Sequence, residues 1–304
     1  MTVSPHWHIL GAGALGGLFA GTLQSAGLTA TLLTHRDQPQ TLRVTLLPGN
    51  GSASEAVLDV PVCPLPAMPK ASVDHLLMTT KAFAVGPALR EVLPWLTRDA
   101  RVVCCANGIG FEAEAQALLG ARPLLRAVTT EAALRSGPKQ VTHSGHGETL
   151  VGDGRSPQAP AWFQTSLGQL PGWRWVADTE SAVRRKFAVN CAINALTTVH
   201  RCRNGELLQR PELTRVFEAL CVETEEALRR LRLWSGDETL LEVARGVCMR
   251  TAENRSSMLQ DRLAGRRCEI DYLNGHLLAL AAEAGLELPV NEQLVRELHR
   301  EERG

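Results

Sequence analysis

Apolar and polar positions change rhythm along this chain. Through residues 1–178, short apolar runs alternate with helical stretches and turn residues. The runs are HIL at 8–10, TATLL at 29–33, DHLLMTT at 74–80 and RVVCCA at 101–106, with helical patterns such as 14–26 and 84–96 between them. That alternation predicts a parallel sheet covered by helices. TLVGDG at 149–154 and WRWV at 173–176 read as further strands around a Pro-rich turn (Pro157, Pro160) and a helix. From about residue 179 turn residues thin out and helical periodicity takes over, at 180–199, 211–233, 237–262 and 268–285, then a short final helix. Asn204-Gly205 and Pro211 punctuate this half. The expectation is an α/β domain over 1–178 followed by an all-helical domain over 179–304.

One helical stretch inverts the usual pattern. Lys186, Asn190 and Asn194 recur every four residues in KFAVNCAINAL, and every other residue from Phe187 to Leu196 is apolar. Positions i, i+4 and i+8 share one helix face. A surface helix shows a wide polar face and a narrow apolar stripe, whereas here a narrow polar seam runs along an otherwise buried helix. An unpartnered buried amide costs about 1–3 kcal/mol, so the seam needs something polar to face. A ligand in a cleft would serve, and so would a hydrogen-bonded seam between two helices.

Composition narrows the candidates. A chain of 304 residues can bury a sizeable core and suits two domains. Thirty-two basic and 32 acidic residues balance to zero, so no electrostatic footprint for nucleic acid or anionic lipid is present. No apolar run reaches the roughly 18 residues that a membrane span needs, and MTVSPHWHIL lacks the basic and apolar regions of a secretory signal. The eight cysteines form no C-x-x-C pair and sit mostly in apolar surroundings, which suits reduced thiols in the cytoplasm better than a disulfide framework or a zinc site. The nine histidines form no metal-like pair on a helix, and no metal is expected.

Gly11-Ala12-Gly13-Ala14-Leu15-Gly16 follows the strand HIL and opens a helix, the context that a G-x-G-x-x-G needs. The first glycine allows the tight turn, the second lets the backbone approach a pyrophosphate, and the third lets helix pack on strand. The helix N-terminus offers free N–H groups to the phosphates. The first domain is therefore read as a Rossmann-like dinucleotide-binding domain. An acidic residue at the end of the second strand would favour NAD. The chain has Thr34-His35-Arg36 there, with Asp37 only afterwards. Arg36 can pair with a 2′-phosphate, so NADP(H) is preferred, while Asp37 keeps NAD(H) open.

Lys81 ends the third of these apolar strands and Asn107-Gly108 the fourth, at the carboxyl edge where open α/β sheets bind ligands. Together with Lys186, Asn190, Asn194, Asn204-Gly205-Glu206, ENRSSMLQD at 253–261 and Glu269-Ile270-Asp271, they make the chain closely resemble the 2-dehydropantoate 2-reductases, or ketopantoate reductases. K-x3-N-C-x-I-N and N-R-S-S-M-L-Q-D carry the resemblance far more specifically than the glycines do.

The resemblance implies an NADPH-dependent reduction of 2-dehydropantoate to (R)-pantoate, a step toward pantothenate and coenzyme A. It implies Lys186 as catalytic acid, with Asn190, Asn194 and Ser257 holding the substrate and Asn204 at the substrate cleft. It further implies Lys81 and Asn107 on the cofactor's ribose and nicotinamide, and Glu269 closing the site near the nicotinamide end. Two departures from the family stand out: Ala195 where a proline often follows the second asparagine, and Arg36 one residue later than in some members. A reductase of another branched 2-keto acid and a catalytically silent NADP(H)-binding sensor are the alternatives. Whether the chain is a monomer or a homodimer is not legible.

Overall fold

A computed structural model describes residues 5–34, 41–48 and 55–303, with residues 302 and 303 described by backbone alone. The chain divides into two compact units, residues 1–106 with 111–180, and residues 107–110 with 181–304.

The first unit is built on eleven strands: β1 (Trp7–Leu10), β2 (Ala30–Thr34), β3 (Thr41–Leu46), β4 (Ala56–Pro64), β5 (Val73–Met78), β6 (Leu96–Cys104), β7 (Leu124–Thr129), β8 (Ala132–Gly137), β9 (Gln140–Gly145), β10 (Thr149–Gly152) and β11 (Trp173–Trp175). Helices α1 (Ala14–Ser25), α2 (Val85–Val92), α3 (Glu112–Leu119) and α4 (Ala161–Gln164) accompany them. The sheet runs β11-β10-β7-β6-β5-β1-β2-β4-β3-β9-β8. Its middle, β4-β2-β1-β5-β6-β7, is parallel throughout and has the strand order of a dinucleotide-binding sheet. Every residue of β1 is buried, apolar Trp7, Ile9 and Leu10 together with His8, as a strand covered on both faces requires. Trp7, Ile9, Leu18, Phe19, Leu32 and Leu77 are among the residues of the core.

The sheet is mixed, which the alternation of elements did not predict. β3 runs antiparallel to β4, β8 to β9 and β10 to β7. β3 buries Leu42, Val44 and Leu46 and exposes Thr41 and Arg43, a two-residue alternation that marks a half-buried strand. The helix expected over 84–96 stops at Val92. Leu93-Pro94-Trp95 makes a single 3-10 turn, and β6 begins at Leu96.

The second unit is helical: α5 (Thr179–Val199), α6 (Glu206–Gln209), α7 (Pro211–Arg230), α8 (Leu240–Arg250), α9 (Ser257–Leu263), α10 (Asn274–Glu283) and α11 (Pro289–Arg303). Its core joins Phe187, Leu196, Phe217, Leu228, Leu277 and Leu298. The helix expected over 237–262 is two helices. Thr239 and Glu242 form a capping box that starts α8, and Ser256 caps α9. Between them the carbonyls of Ala252 and Asn254 accept from the N–H groups of Gly205 and Asn204. The stretch 268–285 is likewise broken at Leu273, the helix expected over 211–233 ends at Arg230, and the final helix is 15 residues long rather than short. Among the described residues, no helix is long and apolar enough to cross a membrane.

Candidate active site

α5 is enclosed on nearly every side. Phe187, Ala188, Cys191, Ala192, Ile193, Ala195 and Leu196 are at most 3 % exposed. Two hydrogen-bonded ties fix the helix. Thr197 Oγ1 donates to Ser256 Oγ at 2.8 Å, and Asn274 Nδ2 donates to the Cys191 carbonyl at 2.9 Å. Ser256 Oγ in turn accepts from the Leu259 N–H, so one hydroxyl both caps α9 and locks it to α5. Burial pushes the Cys191 thiol far up, so the cysteine in the middle of this motif is a packing residue.

The polar seam survives this packing. Lys186 and Asn190 are half-buried and Asn194 is 6 % exposed. The side-chain amides of Asn190 and Asn194 make no hydrogen bond among the described residues. Lys186 Nζ donates to Asn107 Oδ1 at 2.8 Å, and Asn107 Nδ2 donates to Glu269 Oε2 at 3.2 Å. A neutral amide thus bridges an ammonium and a carboxylate that is 4 % exposed. Glu269 stands at the head of the 3-10 turn Ile270–Tyr272 without capping it, which leaves its carboxylate for Asn107.

Residues 107–110 are held against the helical unit by close backbone approach. Gly108 has φ +77°, and a Cβ there would lie 2.3 Å from the Tyr272 carbonyl oxygen. The Ile109 N–H reaches the same oxygen at 3.4 Å. Asn107-Gly108 is therefore more than a turn former, since the glycine is what lets the asparagine sit beside Lys186.

The remaining expected residues divide. Ser257 opens α9 with its side chain exposed, whereas its neighbour Ser256 is consumed by capping. Asn204 is 7 % exposed, and its Nδ2 donates to Thr251 Oγ1 at 2.9 Å. Its Oδ1 is buried without a partner. Lys81 belongs to the first unit, three residues beyond β5, at the start of the 3-10 turn Ala82–Ala84. Arg36 lies outside the described residues.

The glycine turn of the first unit has the shape a pyrophosphate needs. Gly11 has φ +117°, and a Cβ at Gly16 would lie 2.0 Å from the Gly11 carbonyl oxygen. A Cβ at Gly13 would meet nothing within 4 Å, so the approach to the turn is open there. Gly13 caps α1 without a side-chain acceptor, leaving the first-turn N–H groups for an anion. Two partners of this turn lie outside the glycine motif itself. Thr79 Oγ1 donates to the Gly11 carbonyl at 2.9 Å, and Arg135 on β8 donates to the carbonyl of Ala12. Thr79 carried a signal, because it follows a strand paired with β1; Arg135 carried none, since only the sheet order brings β8 over α1.

The sequence profile of ketopantoate reductase PanE/ApbA matches residues 7–156, and that of the ketopantoate reductase PanE/ApbA C-terminal region matches 178–302. The 2-dehydropantoate 2-reductase of Vibrio cholerae serotype O1 is 34 % identical over 292 residues, 95 % of each chain. The chain belongs to the ketopantoate reductase family. The enzyme of that name from Archaeoglobus fulgidus is 33 % identical, covering 94 % of both chains. Among solved structures, a PanE/ApbA family ketopantoate reductase from Ralstonia eutropha JMP134 superposes with a TM-score of 0.84 at 23 % identity, covering 98 % of this chain and 100 % of that one. A D-mandelate dehydrogenase bound to NADH and anilino(oxo)acetate superposes with a TM-score of 0.86 at 22 % identity, covering 98 % of each. These two likenesses are of fold. Membership of the ketopantoate reductases rests on the profiles and the curated relatives.

Proposed function

We propose that this protein reduces 2-dehydropantoate to (R)-pantoate with NADPH, and that Lys186 is the proton donor. The observation that carries the reading is the Lys186–Asn107 hydrogen bond of 2.8 Å beside two amides, Asn190 and Asn194, that are left for a ligand. When bound, NADPH supplies the hydride to the carbonyl carbon. The chain must then supply a proton to the developing alkoxide and a grip on the rest of the substrate.

Lys186 Nζ hydrogen-bonds the carbonyl oxygen, polarises it and releases its proton as charge builds, a contribution of about 10²–10⁴ in rate. Asn107 orients that ammonium. Asn190 and Asn194, one and two turns along α5, take the substrate hydroxyl and fix the carbonyl against Lys186. Ser257 donates to the carboxylate, and Asn204 holds the loop behind it through Thr251. Glu269 anchors Asn107 and would close the site toward the nicotinamide end of a bound cofactor. Gly11, Ala12, Gly13, Ala14, Leu15 and Gly16 would cradle the pyrophosphate; Lys81 and Asn107 would hold the cofactor around its ribose and nicotinamide, and Arg36, outside the described residues, would take the 2′-phosphate. Arg135 adds a positive charge beside the same turn. In this reading residues 1–178 bind NADP and residues 179–304 bind the keto acid. The eight free cysteines, seven of them buried, support a reducing cytoplasmic setting.

Steady-state NADPH oxidation with a panel of 2-keto acids tests the reading. Turnover with 2-dehydropantoate should have the highest kcat/KM. Turnover confined to another branched 2-keto acid would displace it, and NADPH binding without turnover on any of them would mean a silent binding protein.

A further inference from the structure

We propose that Glu131, His143 and His146 form a binding site for a divalent transition-metal cation, of which Zn²⁺ suits the donors best. Glu131 immediately precedes β8, His143 lies on β9, and His146 follows just after it. One ligand atom from each lies within 4.8 Å of the other two. His143 Nε2 stands 2.7 Å from Glu131 Oε2 and 3.0 Å from the Gly145 carbonyl oxygen. The ring of His146 meets that of His143 edge-on, centroids 4.6 Å apart, and its Nε2 rests 3.0 Å from the Pro48 carbonyl.

A hydrogen-bonded His–Glu pair and a separate His146–Pro48 contact would account for the three residues one by one, but not for ligand atoms of all three converging within 4.8 Å of one another. Two imidazoles and one carboxylate are a zinc donor set with one position left open. Burial is graded as an ion-binding pocket requires: His143 is 6 % exposed, the Glu131 side chain 12 %, and His146 faces solvent. The floor is held in place and the rim admits the ion. Donors of a tetrahedral zinc site stand roughly 3.3 Å apart. The Glu131–His143 pair therefore opens by about half an ångström, and His146 turns inward from Pro48. The Gly145 carbonyl stands by as a further oxygen donor.

For the histidines, the expectation of no metal rested on helical spacing. His143 and His146 are instead brought together by the end of a strand, where a separation of three residues has no helical meaning. The pairing of β8 with β9 then adds Glu131. β8 is an edge strand of the sheet and carries Arg135, the residue that touches the glycine turn. An ion at this site cross-braces that hairpin.

The test is a Co²⁺ titration of chelator-treated full-length protein, followed by visible absorption and calorimetry. One Co²⁺ should bind per chain, with the visible bands of a low-coordinate nitrogen and oxygen site, and Zn²⁺ should displace it. Glu131→Gln and His146→Ala should each weaken binding by at least the roughly 10- to 100-fold that loss of an outer-shell partner costs a metal site. Because His146 is exposed, His146→Ala should keep the wild-type circular dichroism and metal-free Tm, yet lose the rise in Tm that Zn²⁺ gives the wild type. Binding weaker than about 1 mM overturns the proposal. So does equal binding by the variants, or a thiolate charge-transfer band placing the ion on cysteine.

Discussion

Replacing Asn107 by alanine isolates the amide bridge from the two charges that it joins. The substitution removes the acceptor held by Lys186 Nζ at 2.8 Å and the donor given to Glu269 Oε2 at 3.2 Å. A hydrogen bond to a charged group contributes about 1.5–3 kcal/mol, and every 1.36 kcal/mol is about tenfold in rate. If the Lys186 bond matters only for orienting the acid, kcat for 2-dehydropantoate should fall by roughly 10- to 150-fold. On the folding side, a carboxylate that is 4 % exposed loses a donor. That should lower stability by about 1–3 kcal/mol, seen in urea unfolding. Because Asn107 is also proposed to contact the cofactor, NADPH affinity must be measured by fluorescence in the same variant. A kcat within about a factor of two of wild type at saturating NADPH would refute the orienting role, even if NADPH bound more weakly.

Three further outcomes follow from local geometry. Gly16→Ala places a methyl 2.0 Å from the Gly11 carbonyl oxygen, so it should cost about 1–3 kcal/mol of stability and weaken NADPH binding; unchanged values for both would mean that the turn is not the phosphate cradle. Ser256→Ala should lower stability by about 1 kcal/mol or more through the lost cap and the lost Thr197 partner, whereas Ser257→Ala should leave Tm alone and raise the keto-acid KM about tenfold or more; the reverse pattern would exchange their roles. His8 is 5 % exposed, and burial, with His6 beside it, lowers its pKa from 6.5 to about 4. The unfolded chain therefore takes up the proton first. His8 costs no stability above about pH 6.5, and about 3 kcal/mol is lost as pH falls to about 4. A His8→Val variant should show a shallower fall over that window in pH-resolved thermal unfolding, and an identical slope would contradict the assignment.

What the sequence revealed depended on the range of the interaction involved. β1, the glycine turn and the α5 seam are local patterns, visible as an apolar run, a fixed glycine spacing and a four-residue recurrence. The break between α8 and α9 is not local, because the carbonyls of Ala252 and Asn254 are taken by Gly205 and Asn204, about fifty residues earlier. Periodicity across 237–262 cannot register that. The same holds for the site. Asn107 lies 79 residues from Lys186 and 162 from Glu269, so the residues could be named individually while their bridge could not. Ser256 and Ser257 are indistinguishable by residue type, and only the cap geometry separates them. Arg135 and the Glu131–His143–His146 cluster depend on strand pairing at the far edge of the sheet.

The proposed chemistry turns on proton delivery by Lys186. The most direct measurement is single-turnover reduction of 2-dehydropantoate by Lys186→Ala at saturating NADPH, with NADPH affinity determined in parallel. The rate should fall by about 10²–10⁴ with NADPH affinity essentially unchanged. A variant that reduces the keto acid at the wild-type rate would contradict it.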